Sequence, residues 1–391
     1  MQIVLAGESA LAFWVWATRP DSSLRALRQC CGDNAHDVAM QPLPQRRGTT
    51  LAQALLNNGP QLLPSPYKLS ISHAQIEGLC NELGIVGPLL ALVKDKTNKR
   101  TQANLITHSL ANISKLEEFY EPIKGLFISS PRLVYAQMSR DLSIESLIML
   151  GYELCGEYST DEAAERGFYN RTPLTNTNSI CNLINASPNL GNKQAALRAL
   201  NCIVEGTASP AESQLSAMLT IPTRFGGFGF KRPKANAIVL SDAKSQKVSK
   251  RNWRACDLFW EEELVDVEYD SEAFHSTREQ RFEDSVRRNA LVSSKIRVIS
   301  VTPGQLRSRE ELATVALVLA SALNKRRRTK VENFNELNKK LHQSIIYDYP
   351  KWRRELFDNS NPNSRPDQQI NEGNAVDNAL EPTLEPFYEI A

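Results

Sequence analysis

The alternation of apolar and polar residues predicts a mixed α/β protein whose pattern sharpens after residue 207. Before that point, short strand-like runs alternate with stretches of helical spacing. The clearest helix is SPRLVYAQMSRDLSIESLIMLGYEL, where Ser130 and Pro131 are the residue types preferred at the N-cap and the first helical position. The segment from 157 to 192 is rich in Asn, Thr, Ser and Pro, which is typical of a connector. A short helix, KQAALRALNCIVEG, follows it and is predicted to end at Gly206.

From residue 207 onward, the pattern predicts the order helix, strand, strand, strand, helix, strand, helix. Ser209, Pro210 and Glu212 mark the start of the first helix. A strand follows the glycine-rich GGFGF, and the runs WRACDLFW and LVDVEYD form two more, joined by an acidic turn. The next helix is TREQRFEDSVRRNALVSS and the last strand is KIRVISVT. The closing helix, SREELATVALVLASALNKRRR, has Ser308 and Glu311 at capping-box spacing.

These patterns divide the chain into five predicted regions. They are a mixed α/β N-terminal domain (1–156), a connector with a helix (157–206), a second domain (207–325), a helical extension (326–356) and an acidic tail (357–391). The tail has few apolar residues before FYEI, so it is predicted to be disordered.

The composition is that of an ordinary soluble protein. The 391 residues are 41% hydrophobic and 23% charged, and the chain is long enough for two or three domains. The seven cysteines include no C-x-x-C pair, which argues against a zinc site or a disulfide framework and suits a reducing compartment. The N-terminal apolar run lacks a basic segment, and its eight apolar residues from Ala10 to Ala17 are too few to span a bilayer. These features predict a cytoplasmic protein without a membrane partner.

The net charge of +2 hides an uneven distribution. The tail after residue 357 has seven acids and one base, so the rest of the chain carries about +8. Basic residues cluster in KSQKVSKRNWR and NKRRRTK. Such runs are compatible with a polyanionic partner, and they are also common on solvated faces.

Two carboxylates in CDLFWEEELVDVEYDS, residues 256–271, are the first candidates for chemistry. Asp257 and Glu268 interrupt runs that otherwise look buried, where an unpaired charge is costly. If the hairpin turns about the Glu262–Glu263 peptide, the numbers of facing residues add up to 525. Asp257 then faces Glu268 with Cβ atoms about 4.5–5.5 Å apart. Asp270 shares this face because side chains alternate along a strand.

Three acids on one patch are typical of a hard-cation site. Mg²⁺ binds through one or two carboxylates, keeps several waters and contacts substrate phosphate, and the sequence does not separate it from Mn²⁺. Such an ion polarises a phosphoryl oxygen and lowers the pKa of a bound water, and phosphodiester hydrolysis needs both effects. Glu212 could be a further ligand, and His275 could move protons or orient water. The basic residues that could contact phosphates are Lys250, Arg251, Arg287 and Arg288.

Each of these residues also has an ordinary structural interpretation. Glu212 could be the acid of a capping box and have no other role, and His275 could be an ordinary loop residue. Arg287 or Arg288 can pair with Asp284 along a helix. The pair of strands can be an edge hairpin with one solvent-exposed face.

Residues 207–306 resemble the PD-(D/E)XK nuclease superfamily, and more closely the small bacterial domains related to very-short-patch mismatch repair endonucleases. The resemblance depends on CDLFWEEELVDVEYDSEAFH, EDSVRRNAL and RVISVT, together with the order of elements. It covers about a quarter of the chain and implies a restriction-endonuclease-like core. It also implies that Asp257 and Glu268 are the metal carboxylates and that Glu212 is the helix acid.

The sequence departs from that pattern in two places. The superfamily lysine would stand two residues after Glu268, where this chain has Asp270, as the closer relatives do. The usual glycine is Ser271, and the usual double histidine is reduced to Phe274 and His275. The activation of water would then depend on the metal or on a histidine.

Residues 1–155 resemble the partner segment of AbiEi-type antitoxin-like proteins of bacterial abortive-infection systems, on the motifs GESALAFW, FISSPRLVYAQM and GYELCGEYS.

The leading hypothesis is a divalent-metal-dependent DNA endonuclease of phage defence, mobile elements or repair. Its catalytic residues would be Asp257, Glu268, Asp270 and His275. One alternative is a non-catalytic DNA-binding or toxin-neutralising regulator that keeps a nuclease-like fold. A protein–protein scaffold is the other, suggested only by the acidic tail.

Overall fold

The structure is a computed structural model in which most of the chain is described. The described residues are 1–31, 50–65, 67–94, 101–102, 104–110, 115–161, 164–187, 189–240, 253–270, 296–325 and 331–355. They form a mixed α/β protein, as the apolar pattern predicts. Within these ranges, helices that combine the length and the hydropathy required to cross a bilayer are absent.

The first part of the chain forms a mixed sheet. Its strands are β1 (Ile3–Leu5), β2 (Leu89–Val93), β3 (Thr101–Gln102), β4 (Leu105–Ser109), β5 (Phe119–Ile123) and β6 (Leu126–Ser129). Across the sheet their order is β3-β4-β2-β1-β6-β5. β1 is parallel to β6 and β2 is parallel to β4, whereas the other neighbours are antiparallel.

Six described helices lie between and after these strands along the chain. They are α1 (Gly7–Ala17), α2 (Leu24–Cys31), α3 (Leu51–Asn58), α4 (His73–Leu83), α5 (Pro131–Met138) and α6 (Ile144–Cys155). The one long helix predicted from Ser130 is in fact two. Ser130 does cap α5 by accepting a hydrogen bond from the backbone N–H of Leu133 at 3.1 Å. The chain then turns and Ser143 caps α6, because a polar SRDLS stretch offers a second N-cap.

The segment predicted as a connector is folded. It contains an antiparallel pair, β7 (Tyr158–Thr160) and β8 (Phe168–Asn170), followed by α7 (Thr177–Ala186) and α8 (Lys193–Leu200). Ile180 on α7 is fully buried, so an Asn- and Ser-rich sequence here forms capped helices rather than a loop. The second helix also ends earlier than predicted, at Leu200 instead of Gly206.

The second sheet is preceded by a helix and followed by others. Its elements are α9 (Pro210–Thr220), β9 (Lys234–Leu240), β10 (Trp253–Trp260), β11 (Val265–Tyr269), β12 (Arg297–Val301), α10 (Pro303–Arg307) and α11 (Arg309–Ala322). The strand order is β12-β11-β10-β9, with β12 parallel to β11 and the other pairs antiparallel. This succession agrees with the predicted one, except that the helix expected between β11 and β12 lies outside the described residues.

Two details position this sheet. Leu215 and Leu219 of α9 share one apolar core with Leu258 of β10 and Val267 of β11, which sets the helix against the sheet. The glycine-rich turn before β9 requires glycine at position 227, because a Cβ there would overlap the backbone carbonyl of Ile221.

The last described helices return to the N-terminal part of the molecule. They are α12 (Phe334–Gln343), a π-helical turn (Ser344–Asp348) and α13 (Tyr349–Glu355). Arg353 of α13 donates two hydrogen bonds to Glu153 of α6, from Nη2 to Oε1 at 2.7 Å and from Nε to Oε2 at 2.9 Å. The Tyr349 hydroxyl donates a third, at 3.1 Å. Arg353 and Glu153 are both buried, so a fully paired charge joins two helices that are distant in sequence. The acidic tail lies outside the described residues.

Candidate functional site

The β10–β11 hairpin has the register that the sequence predicts. Its facing pairs are Leu258 with Val267, Phe259 with Asp266, and Trp260 with Val265, and the numbers in each pair add up to 525. The ladder ends at Leu258 and Val267, one residue before the level of Asp257 and Glu268. Asp257 Oδ2 accepts a hydrogen bond of 2.9 Å from the backbone N–H of Tyr269, the residue after Glu268. The Asp257 carboxylate therefore lies beside the end of β11.

The acidic turn of the hairpin is exposed, as expected of a solvated turn. Glu262 pairs with Lys231 at 2.7 Å, and Glu261 pairs with Lys234. Leu264 completes the turn with a φ of 54°, a conformation that a residue with a side chain rarely adopts. These acids are therefore occupied with lysines on the surface, away from the acids of the strands.

Glu212 does not close the predicted capping box, because its carboxylate does not bond the backbone N–H of the N-cap Ser209, but it does lie near the hairpin. Its carboxylate accepts hydrogen bonds from the Ser209 hydroxyl at 2.9 Å and from the backbone N–H of Ala208 at 2.8 Å. Burial and the charge of Asp257 raise the pKa of Glu212 to about 6. The Glu212 carboxylate is thus held by the residues just before α9 and also approaches a second carboxylate, that of Asp257.

Asn236 of β9 connects the helix to the hairpin, and sequence reasoning missed it. Its side-chain amide donates to the Gly206 carbonyl at 2.6 Å and to Glu212 Oε2 at 3.3 Å. Its φ is 46°, which asparagine tolerates better than most residues. The β9–β10 ladder skips this position, at the level of Asp257. The available signal was a polar residue in the apolar run of a predicted strand.

Asp266 is the second residue that sequence reasoning missed. It is fully buried, and the groups that its carboxyl interacts with are the Cys256 thiol and the Glu268 carboxyl, at a geometry outside that of an ordinary hydrogen bond. It faces Phe259 on β10 and pairs with Val298 on β12, so it shares a face with two apolar residues that belong to a small second core. The signal was an acid between Val265 and Val267, two positions before Glu268.

The acids of the two strands form one electrostatic group. Burial, followed by the charges of Glu268 and Asp257, raises the pKa of the Asp266 carboxyl to about 8. Burial and the neighbouring Asp266 also raise the pKa of the Cys256 thiol. We call Glu212, Asp257, Asp266 and Glu268 the acid cluster. Negative charge accumulates here without a basic side chain paired to Asp266 among the described residues.

Comparison with family models, curated proteins and solved structures found no match. The interpretation of the acid cluster therefore depends on its own geometry and charge.

The remaining predicted residues are less closely tied to the cluster. Asp270 follows β11, and its backbone N–H donates to the Val301 carbonyl at 2.9 Å, which extends the β11–β12 ladder. Glu268 is half-buried and pairs with Ser300 of β12. The other predicted site residues lie outside the described residues: Lys250, Arg251, His275, Arg287 and Arg288.

The acid cluster has the donor atoms that a divalent cation prefers, but its described side chains are not arranged as a metal site. Among the described residues, no three Asp, Glu, His or Cys side chains are arranged to hold a metal ion. The buried Asp266 carboxyl nevertheless lies beside the Cys256 thiol, and two more carboxylates are close enough to raise the pKa of this residue. Carboxylate oxygens are the ligands that Mg²⁺ and Mn²⁺ prefer. Glu212, Asp257 and Glu268 are the residues that would hold such an ion.

Proposed function

We propose that this chain is a divalent-metal-dependent endonuclease that hydrolyses phosphodiester bonds of DNA in the cytoplasm, in phage defence, mobile elements or repair. The observation that supports the proposal most strongly is the acid cluster itself. The helix acid Glu212 lies near Asp257 of β10, and Asp257 and Glu268 of β11 lie near the buried carboxyl of Asp266. A protein gains nothing in stability from such an arrangement unless a cation or a proton compensates it.

The order of elements agrees with the proposed restriction-endonuclease-like core. The helix α9 precedes the antiparallel strands β9, β10 and β11, and β12 returns parallel to β11. The proposed ligands Glu212, Asp257 and Glu268 lie on α9, β10 and β11, where the motifs of that superfamily would place them.

Each acid has a distinct proposed role. Mg²⁺ or Mn²⁺, when bound, would polarise the scissile phosphate and acidify a water. Asp257 and Glu268 supply the ligating oxygens, and Asp257 is oriented by the hydrogen bond from the Tyr269 backbone. Glu212 is held by Ser209 and Ala208 at the first turn of α9, so its carboxylate is fixed before any ligand binds. Asp270 and His275 are proposed to assist with water and protons, and the basic residues 250, 251, 287 and 288 to contact phosphates.

The test is plasmid cleavage by the purified full chain with Mg²⁺ or Mn²⁺. We expect Asp257→Ala and Glu268→Ala, and the isosteric Asp257→Asn and Glu268→Gln, to lower the cleavage rate at least 100-fold while far-UV circular dichroism stays unchanged. Glu262→Gln is the matched control, because this turn acid is exposed and pairs with Lys231 on the surface. Equal cleavage by the parent and the two strand variants would overturn the assignment.

A non-catalytic DNA-binding or antitoxin-like regulator is the second candidate. Two observations favour it: Asp270 stands where the nuclease lysine would stand, and the described residues include no ready three-ligand group. A gel shift of duplex DNA at low salt without cleavage in either metal would select this function. Unchanged affinity for DNA in a variant of the acid cluster would strengthen this candidate, since a regulator needs the fold rather than the metal.

A further inference from the structure

The Phe225 side chain is held at the surface on a fixed turn. It ends a 3₁₀ turn (Thr223–Phe225), and 44% of it is exposed. The backbone N–H of Phe225 donates to the Pro222 carbonyl at 2.9 Å. The next residue, Gly226, has a φ of 93°, and its carbonyl accepts a hydrogen bond of 2.8 Å from the Asn338 side chain. The backbone is therefore fixed on both sides of a ring that contacts solvent.

Two arginines accompany this ring in a segment without acids. Residues 221–234, IPTRFGGFGFKRPK, include four basic residues and no acidic one. The Arg224 guanidinium lies over the Phe225 ring, 4.9 Å from its centre. Burial raises the pKa of the Cys202 thiol, and the charges of Arg232 and Arg224, which lie near it, act in the opposite direction. Both arginines are exposed, so Phe225 belongs to a positively charged part of the surface.

A second arginine–phenylalanine pair has a different environment. Arg166 lies over the Phe168 ring at 4.7 Å. Phe168 is partly buried and packs edge-on against the buried Tyr158 ring, so this pair contributes to the packing of the β7–β8 hairpin. The ring of Phe225 is more exposed, and an exposed ring beside cations is typical of a surface that binds single-stranded nucleic acid.

The chemistry of an unpaired DNA strand fits these side chains. Bases stack on aromatic rings and on arginine planes, and guanidinium groups bind phosphates. In a duplex the faces of each base are covered by its neighbours, so a base that stacks on Phe225 must first leave the duplex stack. A duplex backbone would use the arginines but not the ring.

The chain leads from these arginines to the acid cluster. Cys202, which lies near both of them, is four residues before Gly206. The Gly206 carbonyl accepts a hydrogen bond from Asn236, which also donates to Glu212. Four residues span at most about 14 Å, and the phosphates of one strand are about 3.4 Å apart along a duplex. A short strand is therefore long enough to pass from the arginines to the acids.

We propose that Phe225, Arg224 and Arg232 form a docking surface for an unpaired stretch of DNA, with a base stacked on Phe225 and phosphates bound by the two arginines. The inference takes its partner, DNA, from the proposed function. It goes beyond that function because it specifies an unpaired strand and requires neither a metal ion nor cleavage.

The experiment measures DNA binding by the purified full chain in EDTA, so that metal-dependent cleavage does not occur. Fluorescence anisotropy gives the affinity for a labelled single-stranded oligonucleotide and for the duplex of the same sequence, at several salt concentrations. Phe225→Ala removes the ring, Phe225→Leu keeps an apolar side chain and Phe225→Trp keeps an aromatic face. Arg232→Ala removes one cation. Arg166→Ala is the matched control, because it removes an exposed arginine from the other arginine–phenylalanine pair.

We expect the parent to bind the single strand more tightly than the duplex at low salt. Phe225→Ala and Phe225→Leu should weaken single-strand binding at least fivefold, because stacking on one aromatic ring contributes a factor of about 5 to 150. Phe225→Trp should bind as the parent does. Arg232→Ala should reduce the steepness of log affinity against log salt by about 0.7, and Arg166→Ala should leave it unchanged.

Three outcomes would overturn the inference. One is a parent that binds no single strand at low salt, or a Phe225→Ala variant that binds it as the parent does. Another is an equal loss for single strand and duplex, which would mean that only phosphates are contacted. The third is an Arg166→Ala variant that loses as much affinity as Arg232→Ala, because net charge rather than this surface would then determine binding.

The outcome separates this inference from the proposed function. If the Phe225 variants bind single strands more weakly but the parent cleaves no plasmid with Mg²⁺ or Mn²⁺, the nuclease assignment fails and the docking surface stands. If the parent cleaves plasmid and Phe225→Ala binds single strands as the parent does, only the docking surface fails.

Discussion

Two buried carboxylates of this protein, those of Glu153 and Asp266, are surrounded by opposite kinds of side chain. Glu153 on α6 receives a bidentate ion pair from Arg353 and a hydrogen bond from Tyr349. Burial alone would raise the pKa of Glu153, but the guanidinium and these hydrogen bonds outweigh it and hold the pKa below its usual value. Asp266 on β11 is equally hidden from water, has no such partner among the described residues, and has a pKa raised to about 8.

The difference teaches how a structural charge is distinguished from a candidate functional charge. Both positions remove an acid from water, so burial does not separate them. What separates them is whether the protein itself supplies the compensating charge. Around Glu153 it does, and the group is complete. Around Asp266 it supplies two more acids instead, which is the arrangement expected where an external cation binds.

The largest loss of stability is expected when Glu153 loses its ion-pair partner, Arg353. Arg353→Met should lower the free energy of unfolding by about 3–5 kcal/mol, because it leaves a buried charge uncompensated. Urea unfolding followed by tryptophan fluorescence measures the loss. Arg354→Met, at the exposed neighbouring position, is the control and should change stability by less than about 0.5 kcal/mol. A loss as small as that in Arg353→Met would contradict the structural role of the pair.

The second test uses pH, because the two acids predict opposite slopes in metal-free protein. The pKa of Asp266 is higher in the folded state than in the unfolded chain, so its contribution to stability is present at low pH and is lost as pH rises through about 8. The pKa of Glu153 is lower in the folded state, so its contribution is present at neutral pH and is lost as pH falls below its ordinary value. Unfolding by urea at several pH values in EDTA measures both.

Two variants check the assignment of these slopes. Asp266→Asn should remove the loss of stability between about pH 5 and 8, while leaving acid unfolding in place. Arg353→Met should change mainly the acid side. If the free energy of unfolding of the parent does not change between pH 5 and 8, the pKa of Asp266 is not raised in the folded state.

The third test concerns the link between the helix acid and the hairpin. Asn236→Ala should cost about 1–2 kcal/mol, since it removes two hydrogen bonds and places a less tolerant residue at a positive φ. Asn236→Gly keeps the backbone conformation accessible and removes only the side chain, so it should cost less. If both variants are as stable as the parent in urea, Asn236 does not hold Glu212 beside the hairpin.

The smallest effect is expected at the turn. Leu264→Gly relieves a positive φ and should raise the free energy of unfolding by less than about 1 kcal/mol. It should leave Mn²⁺ binding unchanged, because the exposed turn is not part of the acid cluster. A change in Mn²⁺ affinity would show that the turn controls the spacing of Asp257 and Glu268.

Local sequence patterns predicted much of the second sheet. The strands β10 and β11 follow from their apolar runs, and the register follows from the position of the acidic turn. The start of α9 follows from Ser209, Pro210 and Glu212. These features are determined by residues close together in the chain, so a single sequence carries enough information.

The residues that the sequence did not reveal depend on distant contacts. Asn236 is linked to Glu212 only after β9 is laid beside α9, and its left-handed backbone has no sequence marker beyond the residue type. Asp266 could be recognised as an acid within a valine run, but its burial beside Glu268 and Asp257 is a property of the folded sheet. The folded segment after residue 157 was misjudged because serine and asparagine begin helices as readily as they form loops.

The ion pair between Glu153 and Arg353 spans 200 positions of sequence. During synthesis, a ribosome must deliver nearly all of the described chain before the counter-ion of Glu153 emerges. A nascent chain that stops short of α13, or one cleaved there by a protease, has Glu153 in the last turn of α6 without its ion-pair partner. Such fragments should be short-lived in a cell, so quality control can eliminate incomplete copies before they bind any partner.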